Sequence, residues 1–167
     1  ASQKGLMTPP GLGFVWAGPR ALAASTTADL KTRYWDWASR TEHGPHYLRF
    51  CGTPPVAHLF GFREALRMIE EEGLEARWSR HRVLADAVRA AVDAWSAPDG
   101  LRLHALEPGE RGDSVTTIET GCVDAERLRS VTRELCGVTL GVGLGSPAGG
   151  GAFRIAHMGH VNAPMVM

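Results

Sequence analysis

The chain has 167 residues, enough for one ordinary domain or for the end of one domain and a small second. Apolar residues make up 44% of it, which suits a packed core, yet no apolar run approaches the roughly 18 residues of a membrane span. The 18 basic and 18 acidic residues cancel, so net charge gives no reason to expect nucleic acid or an anionic membrane as partner.

Cys51, Cys122 and Cys136 are widely spaced and form no CxxC pair. That pattern argues against a disulfide framework and against a structural zinc site, and it points to a reducing cytoplasm. No basic-then-apolar leader opens the chain. The first residue is not Met, and the last five, Ala163-Pro164-Met165-Val166-Met167, are apolar without a helix stop. Both ends therefore read as cuts through a longer protein.

The opening run is Ser2-Gln3-Lys4-Gly5-Leu6-Met7, with Pro9-Pro10-Gly11 behind it. By residue type alone, Lys4 is an ordinary solvated lysine. Such a lysine can also lie on a tight turn where a cofactor or substrate reaches its amine, and a functional role there requires a desolvated or cation-flanked amine with a lowered pKa. Residues 12–17 form an apolar run closed by Gly18-Pro19, expected as a buried strand, and a short helix should follow over 19–24. Residues 25–55 are irregular and rich in aromatics, which points to an interface.

Val56, Leu59, Phe60, Leu66 and Ile69 then mark a helix face that ends at Glu70-Glu71-Glu72-Gly73. A longer helix carries Leu84, Val88, Ala91, Val92 and Trp95 and stops at residues 96–100. Residues 101–106 and 114–119 read as strands. Asp124 caps a helix that Gly137 ends, and residues 138–140 and 152–156 supply two more strands. From residue 101 onward the order is strand, strand, helix, strand, strand, a small α/β sandwich. The single strand expected before Gly73 needs a sheet to join, and no other strand is expected there.

Two further residues stand out. In Ala152-Phe153-Arg154-Ile155-Ala156 the alternation puts Arg154 on the face opposite Phe153 and Ile155, where its planar fork suits a carboxylate; a structural salt bridge is the competing reading. In Phe50-Cys51-Gly52-Thr53-Pro54-Pro55 the Thr53 hydroxyl precedes a helix whose first amides favour an anion, while a simple N-cap would also explain it. Gly141-Val142-Gly143-Leu144-Gly145 lacks the third glycine of a dinucleotide loop, because Ser146 stands there. His43 and His46 lack a third ligand, so no metal site is expected. Arg111-Gly112-Asp113 reads as a chance tripeptide, and His157 and His160 either line a cleft or serve structure.

The run from Ser2 to Met7 with Pro9-Pro10-Gly11 closely resembles the cofactor-lysine region of the class V aminotransferases, the alanine–glyoxylate and serine–glyoxylate transaminase group. Phe153-Arg154-Ile155-Ala156-His157-Met158-Gly159 is similar to that family's carboxylate-binding motif, and Phe62-Arg63-Glu64-Ala65-Leu66 and Glu72-Gly73-Leu74-Glu75 resemble its interdomain helices. The resemblance implies that Lys4 holds pyridoxal 5′-phosphate as a Schiff base and that Thr53 contacts the cofactor phosphate of a neighbouring subunit. It implies that Arg154 binds the substrate carboxylate. Phe50 stands where the family often has a phosphate-binding tyrosine, so that contact is not carried over.

The implied fold is α/β, with residues 1–74 ending the large domain of the pyridoxal-phosphate transferases and residues 75–167 forming the small C-terminal domain. The implied reaction moves an amino group from alanine or serine to glyoxylate or a similar 2-oxo acid, in a homodimer or higher homo-oligomer completed by an N-terminal part. That part would bring most of the sheet and the acidic partner of the cofactor ring, so the chain by itself is expected to be a poor catalyst. Phe50 mildly favours a pyridoxamine–pyruvate transaminase instead. A non-catalytic module that dimerises through an aromatic arm, residues 34–50, is the alternative of another kind.

Overall fold

Proline and glycine set the breaks in the first part of the chain. The computed structural model describes residues 1–41, 45–50, 52–144 and 151–166, which divide into two units, Ala1–Arg67 and Met68–Met167. In the first unit, α1 (Pro19–Thr26) starts on a proline, whose missing N–H costs nothing at a helix start. A short α2 (Ala38–Thr41) and a 3₁₀ turn (His46–Phe50) interrupt the irregular region, and α3 (Val56–Glu72) crosses the boundary between the units. Tyr34 and Trp35 are 60% and 74% exposed, and the Arg40 guanidinium lies 5.3 Å from the centre of the Tyr34 ring.

The strand expected over residues 12–17 is not formed. Trp16 is 99% exposed and Val15 71%. A strand is held by ladder bonds to a neighbour, and the described residues of this unit contain no strand to supply them. Among the described residues the aromatic contact of this run is made by Phe14, its ring 4.9 Å from that of Phe62.

In the second unit, Gly73 at φ 80° takes a backbone conformation that side chains resist and breaks the chain between α3 and α4 (Leu74–Trp95). Leu84, Val88 and Val92 recur every fourth residue and are buried on one face of α4. Strands β1 (Arg102–Leu103), β2 (Val115–Glu119), β3 (Gly141–Val142) and β4 (Ala152–Ala156) form one sheet in the order β1-β2-β4-β3, each neighbouring pair antiparallel. Helix α5 (Ala125–Cys136) is capped as expected: the Asp124 carboxylate accepts from the Glu126 and Arg127 amides, and Gly137 closes the helix at φ 68°. A last turn of helix, α6, covers Ala163–Val166.

Register decides which face of the sheet is covered. Ile118 pairs with Phe153 and Leu103, so these side chains point the same way. They form the core with Val92 of α4, and Leu128 of α5, Leu140 and Ile155 pack around it. Burying side chains of this kind stabilises by about 1.5–3 kcal/mol each. Both helices thus cover one face, and Val115, Thr117, Glu119 and Arg154 lie on the other. Two strand expectations shift: β1 is two residues long, and the third strand begins at Gly141 rather than Val138.

Candidate functional site

Lys4 sits on a β-turn closed by the Met7 amide donating to the Lys4 carbonyl at 2.9 Å, with its side chain exposed. Beneath the turn, Ser2 and Thr8 are 0% and 6% exposed. The Thr8 amide and hydroxyl both donate to the Ser2 carbonyl, at 3.1 and 3.0 Å, and the Ser2 hydroxyl donates to the Pro9 carbonyl at 3.0 Å. The Leu12 amide in turn donates to Ser2 Oγ at 3.4 Å. This brace holds Met7 at φ 60°, a left-handed conformation that costs a side-chain-bearing residue about 1–2 kcal/mol.

The next corner is pinned from α3. His58 Nε2 donates to the Pro10 carbonyl at 3.1 Å, and a Cβ on Gly11 would lie 2.7 Å from that ring nitrogen. Only glycine fits there. His58 therefore ties the loop that carries Lys4 to the helix that Thr53 precedes. Thr53 itself is exposed and lies outside the helix: the first backbone bond runs from the Leu59 amide to the Pro55 carbonyl, which leaves Pro55 in the capping position. Capping does not account for Thr53.

Arg154 belongs to the second unit, on central strand β4 between Thr117 and Gly141. Its Nε donates to the Val142 carbonyl at 2.6 Å. A Cβ on Gly141 would stand 3.3 Å from Arg154 Cβ and 3.6 Å from its Nε, so the side chain crosses the space that glycine leaves open. No acidic partner of Arg154 occurs among the described ion pairs, so the salt-bridge reading has no support from them.

Just beyond β4, His157 is fully buried. Its Nδ1 donates to the Asp113 carbonyl at 3.1 Å, which leaves Nε2 to accept from the Thr116 hydroxyl at 2.9 Å. Burial pushes its pKa below the ordinary histidine range, against the pull of the Asp113 carbonyl. His157 is thus a neutral structural residue, whereas His160 is exposed.

The segment that follows is tied down by Arg80, which donates to the carbonyls of Gly159 and Val161 and forms a fork with Glu72 at 2.6 and 2.9 Å. Hydrogen bonds from Arg80, and attraction to Arg77, hold Glu72 below the usual carboxylate range. The Arg-Gly-Asp tripeptide is likewise structural: Arg111 donates to the carbonyls of Ala105 and Leu106, and Asp113 accepts from Arg82 and Arg89. Cys51, His43 and residues 145–150 lie outside the described residues.

Sequence reasoning missed Ser2, Thr8, His58 and Arg80. All four act on backbone carbonyls, and no spacing rule marks that behaviour. The only signal was the pair of small hydroxyl residues flanking the lysine.

Residues 1–149 match the family described as aminotransferase class-V. The serine–glyoxylate aminotransferase of Methylorubrum extorquens is 40% identical to the chain, over 96% of the chain and 40% of that protein. An L-aspartate–glyoxylate aminotransferase of Paracoccus denitrificans is 38% identical, over 99% of the chain and 41% of that protein. The crystal structure of an alanine–glyoxylate aminotransferase from Nostoc sp. superposes with a TM-score of 0.79 at 27% identity, over 95% of the chain and 41% of that structure. The chain therefore spans about 40% of the length of the curated relatives it matches.

Proposed function

The chain belongs to the class V aminotransferases, and from that premise we propose that the whole protein transfers an amino group from alanine or serine to glyoxylate or a similar 2-oxo acid, with Lys4 as its cofactor lysine. The observation that carries the reading is the braced, exposed turn at Lys4 inside a family match that begins at residue 1. These relatives are named for different amino donors and share glyoxylate, which favours glyoxylate as the acceptor here.

The described residues offer groups that suit pyridoxal 5′-phosphate at its aldehyde and at its phosphate anchor. Lys4 offers an exposed amine for the aldehyde. Thr53 offers a hydroxyl ahead of the 17-residue helix α3, whose N-terminal amides favour a phosphate, of the neighbouring subunit by family resemblance. When bound, the cofactor supplies the electron sink that lets the substrate Cα–H bond break. In this reading Lys4 Nζ takes that proton and returns it. Arg154 orients the substrate by its carboxylate, with Nε already engaged by Val142 and the two Nη nitrogens left to make parallel bonds.

In this reading residues 1–74 complete the large cofactor-binding domain and residues 75–167 form the small C-terminal domain. The assembly is a homodimer or higher homo-oligomer, for which the exposed aromatics Tyr34, Trp35 and Tyr47 are candidate contacts. A cytoplasmic setting is favoured by Cys122 and Cys136, both exposed and unpaired. Among the described residues no helix is long and apolar enough to cross a membrane.

Turnover of the full-length protein with alanine or serine plus glyoxylate, set against pyridoxamine plus pyruvate, tests the proposal. Faster turnover of the glyoxylate pair is expected. Turnover confined to the pyridoxamine pair would replace this reading with the pyridoxamine–pyruvate transaminase, and no turnover of either pair would favour a non-catalytic role.

A further inference from the structure

We infer that Gly141 and the Val142 main chain are the positioning elements for the Arg154 guanidinium, an inference that rests on Arg154 binding the substrate carboxylate. Gly141 pairs directly with Arg154 across β3 and β4, so any side chain at 141 would project on the same face as the arginine. The arginine uses that room: its Nε lies 3.6 Å from where a Cβ would be, and it reaches one residue further to donate to the Val142 carbonyl at 2.6 Å. That bond removes Nε from the donor set and fixes the plane of the fork, so a carboxylate meets the two terminal nitrogens end-on.

Gly143 keeps the edge strand in place. Its amide donates to the Ala152 carbonyl at 3.2 Å, and a Cβ there would fall 2.6 Å from that same oxygen. The Gly-Val-Gly run is thus explained without a nucleotide. One glycine leaves a channel for the arginine, the valine offers its carbonyl, and the second glycine lets β3 approach β4 closely enough for the bond to form.

The test uses the full-length protein with glyoxylate as the varied substrate. Gly141→Val fills the channel with a residue that strands accept, and Gly141→Ala fills it partly. We expect Gly141→Val to raise KM about tenfold with kcat changed less than about twofold, since carboxylate binding serves ground and transition states alike. Gly141→Ala should move KM less, in the same direction. In an Arg154→Ala background the Gly141→Val change should add nothing, because it acts through the arginine. Unchanged KM in both single variants, or an equal rise in the Arg154→Ala background, would overturn the inference while leaving the carboxylate role of Arg154 intact. An unchanged KM in Arg154→Ala alone would overturn that role first, and the inference with it.

Discussion

A fully buried serine two residues before an exposed lysine is the smallest unit of this account. Ser2 and Thr8 spend their hydroxyls on main-chain carbonyls, and by doing so they fix the turn on which Lys4 stands. Thr8→Val keeps the shape and removes the hydroxyl. It should weaken the brace by about 1–3 kcal/mol, read as roughly tenfold to a hundredfold faster hydrogen exchange at the Leu12 amide and at the amide of residue 8. Gln3→Ala, at an exposed position outside these hydrogen bonds, should leave both rates unchanged. At this scale Lys4, Thr53 and Arg154 were legible as candidates chiefly because the runs around them resemble motifs of the family. Ser2, Thr8 and His58 were not, because a side chain that serves a backbone carbonyl carries no signature in residue type.

Strand β4 and its continuation are held by groups that titrate in different pH ranges. His157 has a folded-state pKa below its ordinary value of about 6.5, so the folded protein binds fewer protons than the unfolded one. Its contribution to stability is complete above about pH 6.5 and is lost as the pH falls through the lowered folded value. Glu119 is held low by hydrogen bonds from His104 and Arg102. At Asp113 burial pushes the carboxyl up, but the Arg82 and Arg89 partners outweigh it and the pKa falls. Those two, with Glu72, contribute above the usual carboxylate range and lose their part only at more acid pH.

Denaturation midpoints should therefore decline in two stages on acidification. His157→Asn should lower the midpoint at pH 8 and flatten the first stage alone; an unchanged slope as the pH falls below about 6.5 would contradict the assignment. Helices α4 and α5 were legible from period and caps, and β2 and β4 from alternation. The third strand was misplaced by three residues because its position is set by how closely Gly141 and Gly143 approach β4, a tertiary fact. The expected strand over 12–17 failed for a related reason: an apolar run marks a surface that wants a neighbour and does not provide one.

At the scale of the whole molecule, a chain covering about 40% of its relatives carries one candidate cofactor lysine in its first unit and one candidate carboxylate arginine in its second. The chain's family is class V, and the proposed chemistry rests on the braced turn that carries Lys4. The chain offers a sharp internal control, since Lys4 and Lys31 are its only lysines and Lys31 donates to the Thr26 carbonyl at 2.9 Å. The most direct measurement is borohydride reduction of the full-length protein loaded with pyridoxal 5′-phosphate, followed by peptide mapping. The account predicts a pyridoxyl label on Lys4 that disappears in Lys4→Ala. A label on Lys31, on a lysine outside these 167 residues, or undiminished in Lys4→Ala would contradict it.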